Sequence, residues 1–295
     1  MIGDPSQTGF QTKTALRILL ESAGTKPRKR FGQHFLIDRN LMQKLVDAAE
    51  PGPNDCVLEV GAGTGSLTGL LAGAAGCVVA VEIDRELAGL AGELLADVPN
   101  VTLICGDALD RKSAVSAEVL AALQRAQAKT GGLLKLAANL PYDIATPLVI
   151  DLLLCDLDFR RLCFTVQTEV ADRFLARPGT PDYGPVSIIT QLLCTGHRIC
   201  KVPPQAFWPE PRVNSTMVRL DRRPPAEIPV SRPGEFATFV RSFFQHRRKT
   251  ISHTAKQKEN AERLAAAIRE AGLPPDARPE NLTVAQWVEF YRRAS

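Results

Sequence analysis

The sequence predicts an α/β protein with a parallel sheet, followed by a smaller all-α C-terminal domain. Between residues 55 and 140, short β-branched apolar runs alternate with longer amphipathic stretches, which is typical of βαβ units. From residue 222 a proline-rich, polar stretch leads into segments with helical periodicity. We therefore expect an N-terminal helix and basic segment over residues 1–30, a Rossmann-like domain over 31–221 and a helical domain over 222–295.

The N-terminal segment combines an amphipathic pattern with a basic run. Residues 12–23 have the apolar spacing of a short helix, and Lys26-Pro27-Arg28-Lys29-Arg30 follows it.

Short apolar runs predict the strands of the sheet, because buried parallel strands are apolar on both faces. The first four runs cover residues 56–60, 77–82, 101–105 and 133–138. Helices are expected over residues 66–75 and 85–96, between these runs. Residues 111–131 are rich in Ala, Gln and Lys and end in two glycines, which predicts an extra surface helix and a flexible loop.

Two further strands are expected at residues 162–166 and 215–220, and the alternation of the second favours an edge position. The helices of the C-terminal domain are expected over residues 236–244, 259–271 and 284–293.

Composition narrows the class of protein. Of 295 residues, 45% are apolar and 23% charged, as in ordinary globular proteins. No apolar run approaches the roughly 20 residues that a membrane span needs, so we expect no membrane role. The N-terminus has no pattern of an export signal, and a cytosolic location is expected.

The seven cysteines form no Cys-x-x-Cys pair, and only four histidines are scattered along the chain. Most of the cysteines lie in apolar runs, which favours buried free thiols in a reducing compartment over disulfides. We expect no metal site.

Charge is unevenly distributed, although the net charge is only +4. Residues 1–30 hold six Lys and Arg against two acids, residues 31–220 hold 16 against 21, and residues 221–295 hold 14 against nine. Basic ends around a mildly acidic middle favour a polyanionic partner such as nucleic acid, with an ordinary solvated surface as the alternative.

A glycine-rich turn, Glu59-Val60-Gly61-Ala62-Gly63-Thr64-Gly65, joins the first strand of the βαβ region to a helix. A dinucleotide-binding turn would place its third glycine at position 66, whereas here it is Gly65. The Gly-x-Gly-x-Gly spacing after an acid is typical of class I S-adenosylmethionine-dependent methyltransferases, in which Gly61 and Gly63 would approach the cofactor. Nucleotide binding and tight packing are the alternatives that this turn alone leaves open.

Two acids follow the next strands of the sheet. Glu82 ends its strand, where a carboxylate can accept hydrogen bonds from ribose hydroxyls, and Asp107 follows the third strand, where it can bind the adenine amine. Helix capping is the alternative role, but Asp84 is better placed for it. Acids in register on successive strand ends favour S-adenosylmethionine as the cofactor.

The motif Asn139-Leu140-Pro141-Tyr142 follows the fourth strand. The amine of an aromatic base is a poor nucleophile, so an enzyme must hold it through its protons in line with the methyl donor. Asn139 and the carbonyl of Leu140 can accept these protons, Pro141 fixes the turn, and Tyr142 can stack on the base. A purely structural turn is the alternative.

These motifs and others along the chain resemble the ribosomal RNA adenine dimethyltransferase family. The resemblance covers residues 12–293 and includes Arg30-Phe31-Gly32-Gln33-His34-Phe35-Leu36, Glu59 to Gly65, Glu82, Asp107, Asn139 to Tyr142, Gln167 to Arg173, Phe207 to Ser215, and Arg247 to Thr250. Departures from the family pattern are Glu210, the long insertion at 111–131 and the additional N-terminal residues.

The resemblance implies site residues for the cofactor and the substrate. Those expected to contact the cofactor are His34, Leu36, Gly61, Glu82, Asp107 and Asn139. It also implies that the N-terminal signature, Arg30 to Leu36, closes over the cofactor. Phe207 is implied as a second aromatic wall for a flipped base, with core packing as the alternative. Arg247, Arg248 and Lys249 are implied as phosphate contacts, with a solvated helix face as the alternative.

Within this family, the C-terminal domain is most similar to the bacterial branch acting on the small subunit. The resemblance therefore implies a monomeric enzyme that dimethylates two adjacent adenosines near the 3′ end of 16S ribosomal RNA in immature 30S particles. The alternatives are the antibiotic-resistance branch acting on the large subunit and a noncatalytic ribosome-assembly or transcription factor.

Overall fold

The computed structural model describes residues 11–28, 32–110 and 114–295. The helix expected over residues 12–23 is present as α1, Lys13–Ser22, and the Thr12 hydroxyl oxygen caps it by accepting from the Ala15 N–H. Arg30 and Phe31 of the signature, Lys29 of the basic run, and the start of the 111–131 insertion lie outside the described residues.

The remaining elements follow in chain order. The strands are β1 Phe35–Leu36, β2 Cys56–Val60, β3 Cys77–Glu82, β4 Val101–Cys105, β5 Leu134–Asn139, β6 Phe159–Gln167, β7 Cys194–Val202, β8 Phe207–Trp208 and β9 Ser215–Arg222. The helices are α2 Arg39–Ala49, α3 Ser66–Ala72, α4 Arg85–Leu94, α5 Ala117–Thr130, α6 Ala145–Leu154, α7 Thr168–Leu175, α8 Pro185–Leu193, α9 Pro233–Phe244, α10 Ile251–Ala255, α11 Ala261–Glu270 and α12 Val284–Ala294.

Among the described residues, seven strands form one sheet in the order β4-β3-β2-β5-β6-β9-β7. The five from β4 to β6 are parallel, and β9 is antiparallel to β6. The predicted parallel sheet is therefore confirmed. The chain runs outward from β2 in both directions, and such a reversal opens a crevice at the carboxyl ends of the strands.

The structure corrects the predicted position of β9. Residues 215–220 were expected at an edge, but β9 lies between β6 and β7. The strand at this end of the sheet is β7, and β4 lies at the other end. Polar residues and Gly196 interrupt the apolar pattern of β7, so the sequence does not predict it.

The helix expected within residues 111–131 is present as α5, Ala117–Thr130, but it is not an extra surface element. Helix α5 connects β4 to β5 as a regular crossover and packs on β2 and β3. Its Val119 and Leu123 are fully buried. The long polar stretch of this helix conceals an apolar face that covers the sheet.

The chain forms two compact units. The first unit contains the described residues up to Ala171 together with His197–Asp221. The second unit contains Asp172–Gly196 and Arg222–Ser295. The second unit resumes at residue 222, where the sequence predicts a domain boundary. It also contains residues 172–196, which the sequence places in the Rossmann-like domain.

Hydrogen bonds inside the second unit explain why residues 172–196 belong to it. The Tyr183 hydroxyl donates to the Leu282 carbonyl over 2.9 Å, and the Gly179 N–H donates to the Glu280 carbonyl over 2.8 Å. Helix α8 packs against α9 and α12. Aromatic side chains fill the core between α9 and α12, with Phe243 and Phe290 fully buried there.

No helix in the described part of the chain combines the length and the apolar character needed to cross a bilayer.

Candidate active site

A cavity of about 230 Å³ opens in the first unit at the carboxyl ends of the central strands. Among the predicted site residues, those that line it are His34, Leu36, Gly61, Gly63, Glu82, Asp107, Asn139, Leu140, Pro141 and Tyr142. The structure therefore brings together residues that lie more than 100 positions apart in the sequence.

The glycine-rich turn forms one wall of this cavity, and its three glycines, including Gly65 with φ of 84°, all have left-handed backbone conformations. Gly61 has φ of 82° and Gly63 has φ of 59°. A Cβ at Gly61 would lie 3.2 Å from Cδ of Pro141, and one at Gly63 would lie 3.0 Å from Cε1 of Phe35. Any side chain here would strain the backbone and crowd the residues packed on the turn.

Glu82 anchors the glycine-rich turn to the loop after β3. Its Oε2 accepts from the Gly63 N–H over 2.7 Å, and its Oε1 accepts from the Asp84 N–H over 2.9 Å. Glu82 is only 5% exposed, and this burial raises its pKa. The carboxylate thus faces the cavity from a position fixed by two backbone donors.

A second carboxyl group, that of Glu59, lies in the cavity wall behind the glycine-rich turn. Glu59 is 1% exposed, and its Oε2 accepts a 2.6 Å hydrogen bond from the Thr68 hydroxyl. Burial raises the pKa of Glu59 to about 8, despite the opposing effect of that hydrogen bond. The Glu59 side chain is therefore mostly protonated at neutral pH.

Asp107 and Ile83 lie in the part of the cavity formed by the loops after β3 and β4. Asp107 Oδ1 accepts from the Leu109 N–H over 3.0 Å, which orients the carboxylate. Ile83 leaves 43% of its surface exposed and so presents an apolar surface to the cavity. An acid beside an exposed apolar surface suits a flat ring that carries an amino group.

Asn139 is held in place by one end of its side-chain amide. Its Nδ2 donates to the His34 carbonyl over 2.9 Å. Its Oδ1 is shielded from solvent and has no hydrogen-bond partner among the described residues. Buried acceptors are normally satisfied, so this oxygen is poised for a donor that enters with a ligand.

Tyr142 is positioned by contacts on its ring and its hydroxyl. Its ring lies 5.7 Å from the His34 ring at an interplanar angle of 29°, and its hydroxyl is 2.8 Å from Oγ of Ser215. Burial raises the pKa of Tyr142. The Nδ1 atom of His34 donates to the Pro209 carbonyl over 2.6 Å, which fixes the orientation of the His34 ring.

A polar network holds the signature segment against the loop after β3. The Gln33 side chain accepts from the Arg28 N–H over 2.6 Å and donates to Asp84 Oδ2 over 3.0 Å. The Arg28 guanidinium pairs with Asp84 and with Glu86, at 3.4 and 2.6 Å. Arg28 thus pairs with two carboxylates of the first unit, a role that the basic run does not reveal.

Phe207 lies elsewhere. It is 1% exposed and packs in the core with Leu36 and Met42, and its strand β8 pairs with β1 in antiparallel register. It does not line the cavity. Its position is that of the core-packing alternative.

Arg247, Arg248 and Lys249 form an exposed turn between α9 and α10 in the second unit. The Arg247 guanidinium donates to the Pro181 carbonyl. The three residues are exposed, as both the phosphate-contact prediction and its solvated-surface alternative require, but they follow the end of α9 and so lie in a turn rather than on a helix.

Several residues of the cavity and its supports were not identified from the sequence. They are Gln11, Leu16, Arg28, Gln33, Glu59, Ile83 and Asp84, and Ser215 supports Tyr142. Glu59, Gln33 and Ser215 belong to quoted motifs, which is the signal that could have identified them. The others act through contacts between segments far apart in sequence.

The chemistry of these residues suits binding more than proton transfer. Among the described residues, no group of three or more His, Cys, Asp or Glu could hold a metal ion. The cavity offers a backbone cradle, an anchored carboxylate, an exposed apolar surface and one unpartnered amide oxygen.

Comparison with known proteins relates this arrangement to a family. A model of the family described as "Ribosomal RNA adenine dimethylase" matches residues 24–295, a range that begins after α1. A "Ribosomal RNA small subunit methyltransferase A" from Moorella thermoacetica is 38% identical over 275 residues, covering 93% of this chain and 94% of that protein. A protein of the same name from Pediococcus pentosaceus is 35% identical, with coverage of 99% and 95%.

Solved structures show the same fold. The 23S rRNA methyltransferase ErmE is 26% identical, with a TM-score of 0.62 and coverage of 88% of this chain and 98% of that chain. A dimethyladenosine transferase from Plasmodium falciparum is 23% identical, with a TM-score of 0.69 and coverage of 87% and 96%.

Proposed function

Because the chain belongs to the ribosomal RNA adenine dimethylase family, we propose that it dimethylates two adjacent adenosines near the 3′ end of small-subunit ribosomal RNA. It is an enzyme of the S-adenosylmethionine-dependent rRNA adenine dimethyltransferase class. The proposal concerns which RNA it modifies and how its residues divide the work.

The cavity fits S-adenosylmethionine. Gly61 and Gly63 line the cavity with backbone alone, which a ligand can contact closely, and the anchored Glu82 carboxylate suits the ribose hydroxyls. Asp107 and Ile83 suit the adenine amine and ring face. When bound, the cofactor supplies an activated methyl group.

The observation that carries the substrate assignment is the unpartnered Oδ1 of Asn139. We assign this oxygen, together with the Leu140 carbonyl, to the two protons of the target amine. Asn139 cannot rotate freely because its Nδ2 is bound to the His34 carbonyl. The side chain therefore presents its acceptor in one direction, which orients the amine lone pair.

The other residues hold the base. The Tyr142 ring offers a surface for base stacking next to His34, and its hydroxyl contact with Ser215 limits its rotation. Pro141 packs on the glycine-rich turn and so links the substrate motif to the cofactor cradle. No strong general base is needed, since the methylated amine is acidic and releases its proton to water.

The relatives favour the small subunit as the source of the RNA. Those at 35 to 38% identity carry the small-subunit name, whereas the large-subunit enzyme ErmE is 26% identical. An intact Asn139 and an intact glycine cradle favour catalysis over a noncatalytic assembly role. The proposed setting is a monomer acting on immature small subunits in the cytoplasm, with Arg247, Arg248 and Lys249 contacting phosphates.

The test is transfer of labelled methyl groups from S-adenosylmethionine to unmethylated small subunits and, separately, to protein-free large-subunit RNA. We expect label in the small-subunit RNA and none in the large-subunit RNA. Preferential labelling of the large-subunit RNA would support the resistance branch instead. No labelling of either RNA would support the noncatalytic alternative.

A further inference from the structure

Helix α1 lies over the cofactor cavity and contributes to its wall. It precedes the residues that the family model matches, and none of the motifs discussed above includes it. Gln11, just before α1, and Leu16, on its buried face, both line the cavity. Because the proposed function places the cofactor in this cavity, Gln11 and Leu16 would lie next to the bound cofactor.

The polar contact of this segment is made with the glycine-rich turn itself. The Thr64 hydroxyl donates to Gln11 Oε1 over 2.6 Å. Thr64 is buried and directly follows Gly63, whose N–H binds Glu82. The start of α1 is thus tied to the part of the turn that presents the Glu82 carboxylate.

The apolar contacts of α1 fall on residues that also form the cavity. Leu16 is 2% exposed and packs with Leu87, Phe35 and Ile37, all of which line the cavity. Leu20 belongs to the same cluster and is equally buried, but it does not line the cavity. Ile18, on the outer face, is 60% exposed.

We propose that α1 is part of the S-adenosylmethionine site, with Leu16 as a wall residue and Gln11 as the anchor that fastens the helix to the glycine-rich turn. A ligand that fills the cavity then adds contacts to the docked helix. Cofactor binding and docking of α1 are linked, so each stabilises the other. This proposal rests on the proposed function.

Three matched variants of α1 separate a wall role from simple packing. The measurement is the Kd of S-adenosylhomocysteine, the unreactive product, by isothermal titration calorimetry. Leu16→Ala should raise Kd about tenfold, because it removes a ligand contact and weakens docking. Leu20→Ala should raise it only about threefold through weaker docking, and Ile18→Ala should leave it unchanged.

Two further measurements distinguish a loss of ligand contact from a general loss of folding stability. Thermal unfolding without ligand should show similar losses for Leu16→Ala and Leu20→Ala, since both truncate a buried leucine of one cluster. In the unchanged protein, S-adenosylhomocysteine should slow amide hydrogen exchange in α1. Gln11→Ala should raise Kd and reduce this slowing.

The inference is overturned if Leu16→Ala binds S-adenosylhomocysteine as the unchanged protein does, if Leu16→Ala and Leu20→Ala have equal effects on Kd, or if exchange in α1 is insensitive to the ligand. These outcomes leave the proposed function intact when the unchanged protein binds the ligand. Absence of binding by the unchanged protein contradicts the proposed function and this inference together.

Discussion

Glu59 links the stability of the cavity wall to pH. Its pKa in the folded protein is about 8, compared with 4.5 for an ordinary Glu side chain, because the carboxyl group is buried. An acid whose pKa is raised on folding binds its proton more tightly in the native state. The stability it contributes is fully present below pH 4.5 and is lost as the pH rises through 8.

The substitution Glu59→Gln keeps the shape of the side chain and removes the ionisation. The Gln oxygen can still accept from the Thr68 hydroxyl, which donates to Glu59 over 2.6 Å. A pKa difference between 4.5 and about 8 corresponds to roughly 4 kcal/mol at pH 8. We therefore expect the variant to gain up to this amount of unfolding free energy relative to the unchanged protein between pH 5 and 8.

The assay is urea denaturation of both proteins at several pH values, with the difference in unfolding free energy plotted against pH. Taking the difference cancels the titration of all groups that the two proteins share. A difference that is constant from pH 5 to 8 would mean that Glu59 ionises in the folded protein as it does in the unfolded chain, and that burial does not raise its pKa.

Two further predictions concern the separate roles of Asn139 and Glu82 in the cavity, and RNA binding by the basic turn of the second unit. Asn139→Ala should abolish methyl transfer while changing the Kd of S-adenosylhomocysteine by less than about tenfold, roughly 1.4 kcal/mol, whereas Glu82→Ala should mainly weaken cofactor binding; equal effects on binding alone would contradict the assignment of Asn139. Replacing Arg247, Arg248 and Lys249 together with Ala should flatten the slope of log affinity for RNA against log salt by about two, at roughly 0.7 to 0.9 per phosphate contact. Cofactor affinity of this triple variant should not change, and parallel salt curves would show that the turn contacts no phosphates.

The central strands β2 and β3 could be predicted because they are buried on both faces and are therefore continuously apolar. The runs at 56–60, 77–82 and 101–105 coincide with β2, β3 and β4. Strand β4 lies at an edge with only Ile104 buried, but its β-branched and apolar residues still mark it as a strand. Strand β7 could not be predicted in the same way, since the edge segment Thr195 to Lys201 is mostly polar, contains Gly196 and shows no regular alternation.

The composition of the chain predicted only one of the boundaries of the second unit. Residues 172–196 belong with the C-terminal helices through contacts such as Tyr183 to Leu282, which no local pattern encodes. The proline-rich stretch after residue 222 marks only the place where the chain returns to this unit.

Part of the site could be predicted because ligand binding at the carboxyl end of a parallel strand needs a particular polar residue there. Glu82 and Asn139 follow from that rule and line the cavity together. Phe207 was assigned by resemblance and lies in the core. The roles of Gln33 and Leu16 depend on how the N-terminal segment folds over the cavity, which spacing along the chain does not reveal.

In the proposed mechanism the cavity holds the methyl donor and Asn139 presents the amine of adenosine to it. Both parts can be tested by mass spectrometry of nucleosides from unmethylated small-subunit RNA after incubation with S-adenosylmethionine and either the unchanged protein or Asn139→Ala. We expect dimethylation of the exocyclic amine of two adenosines by the unchanged protein and none by the variant. Methylation at another atom or base, or equal dimethylation by the variant, would contradict it.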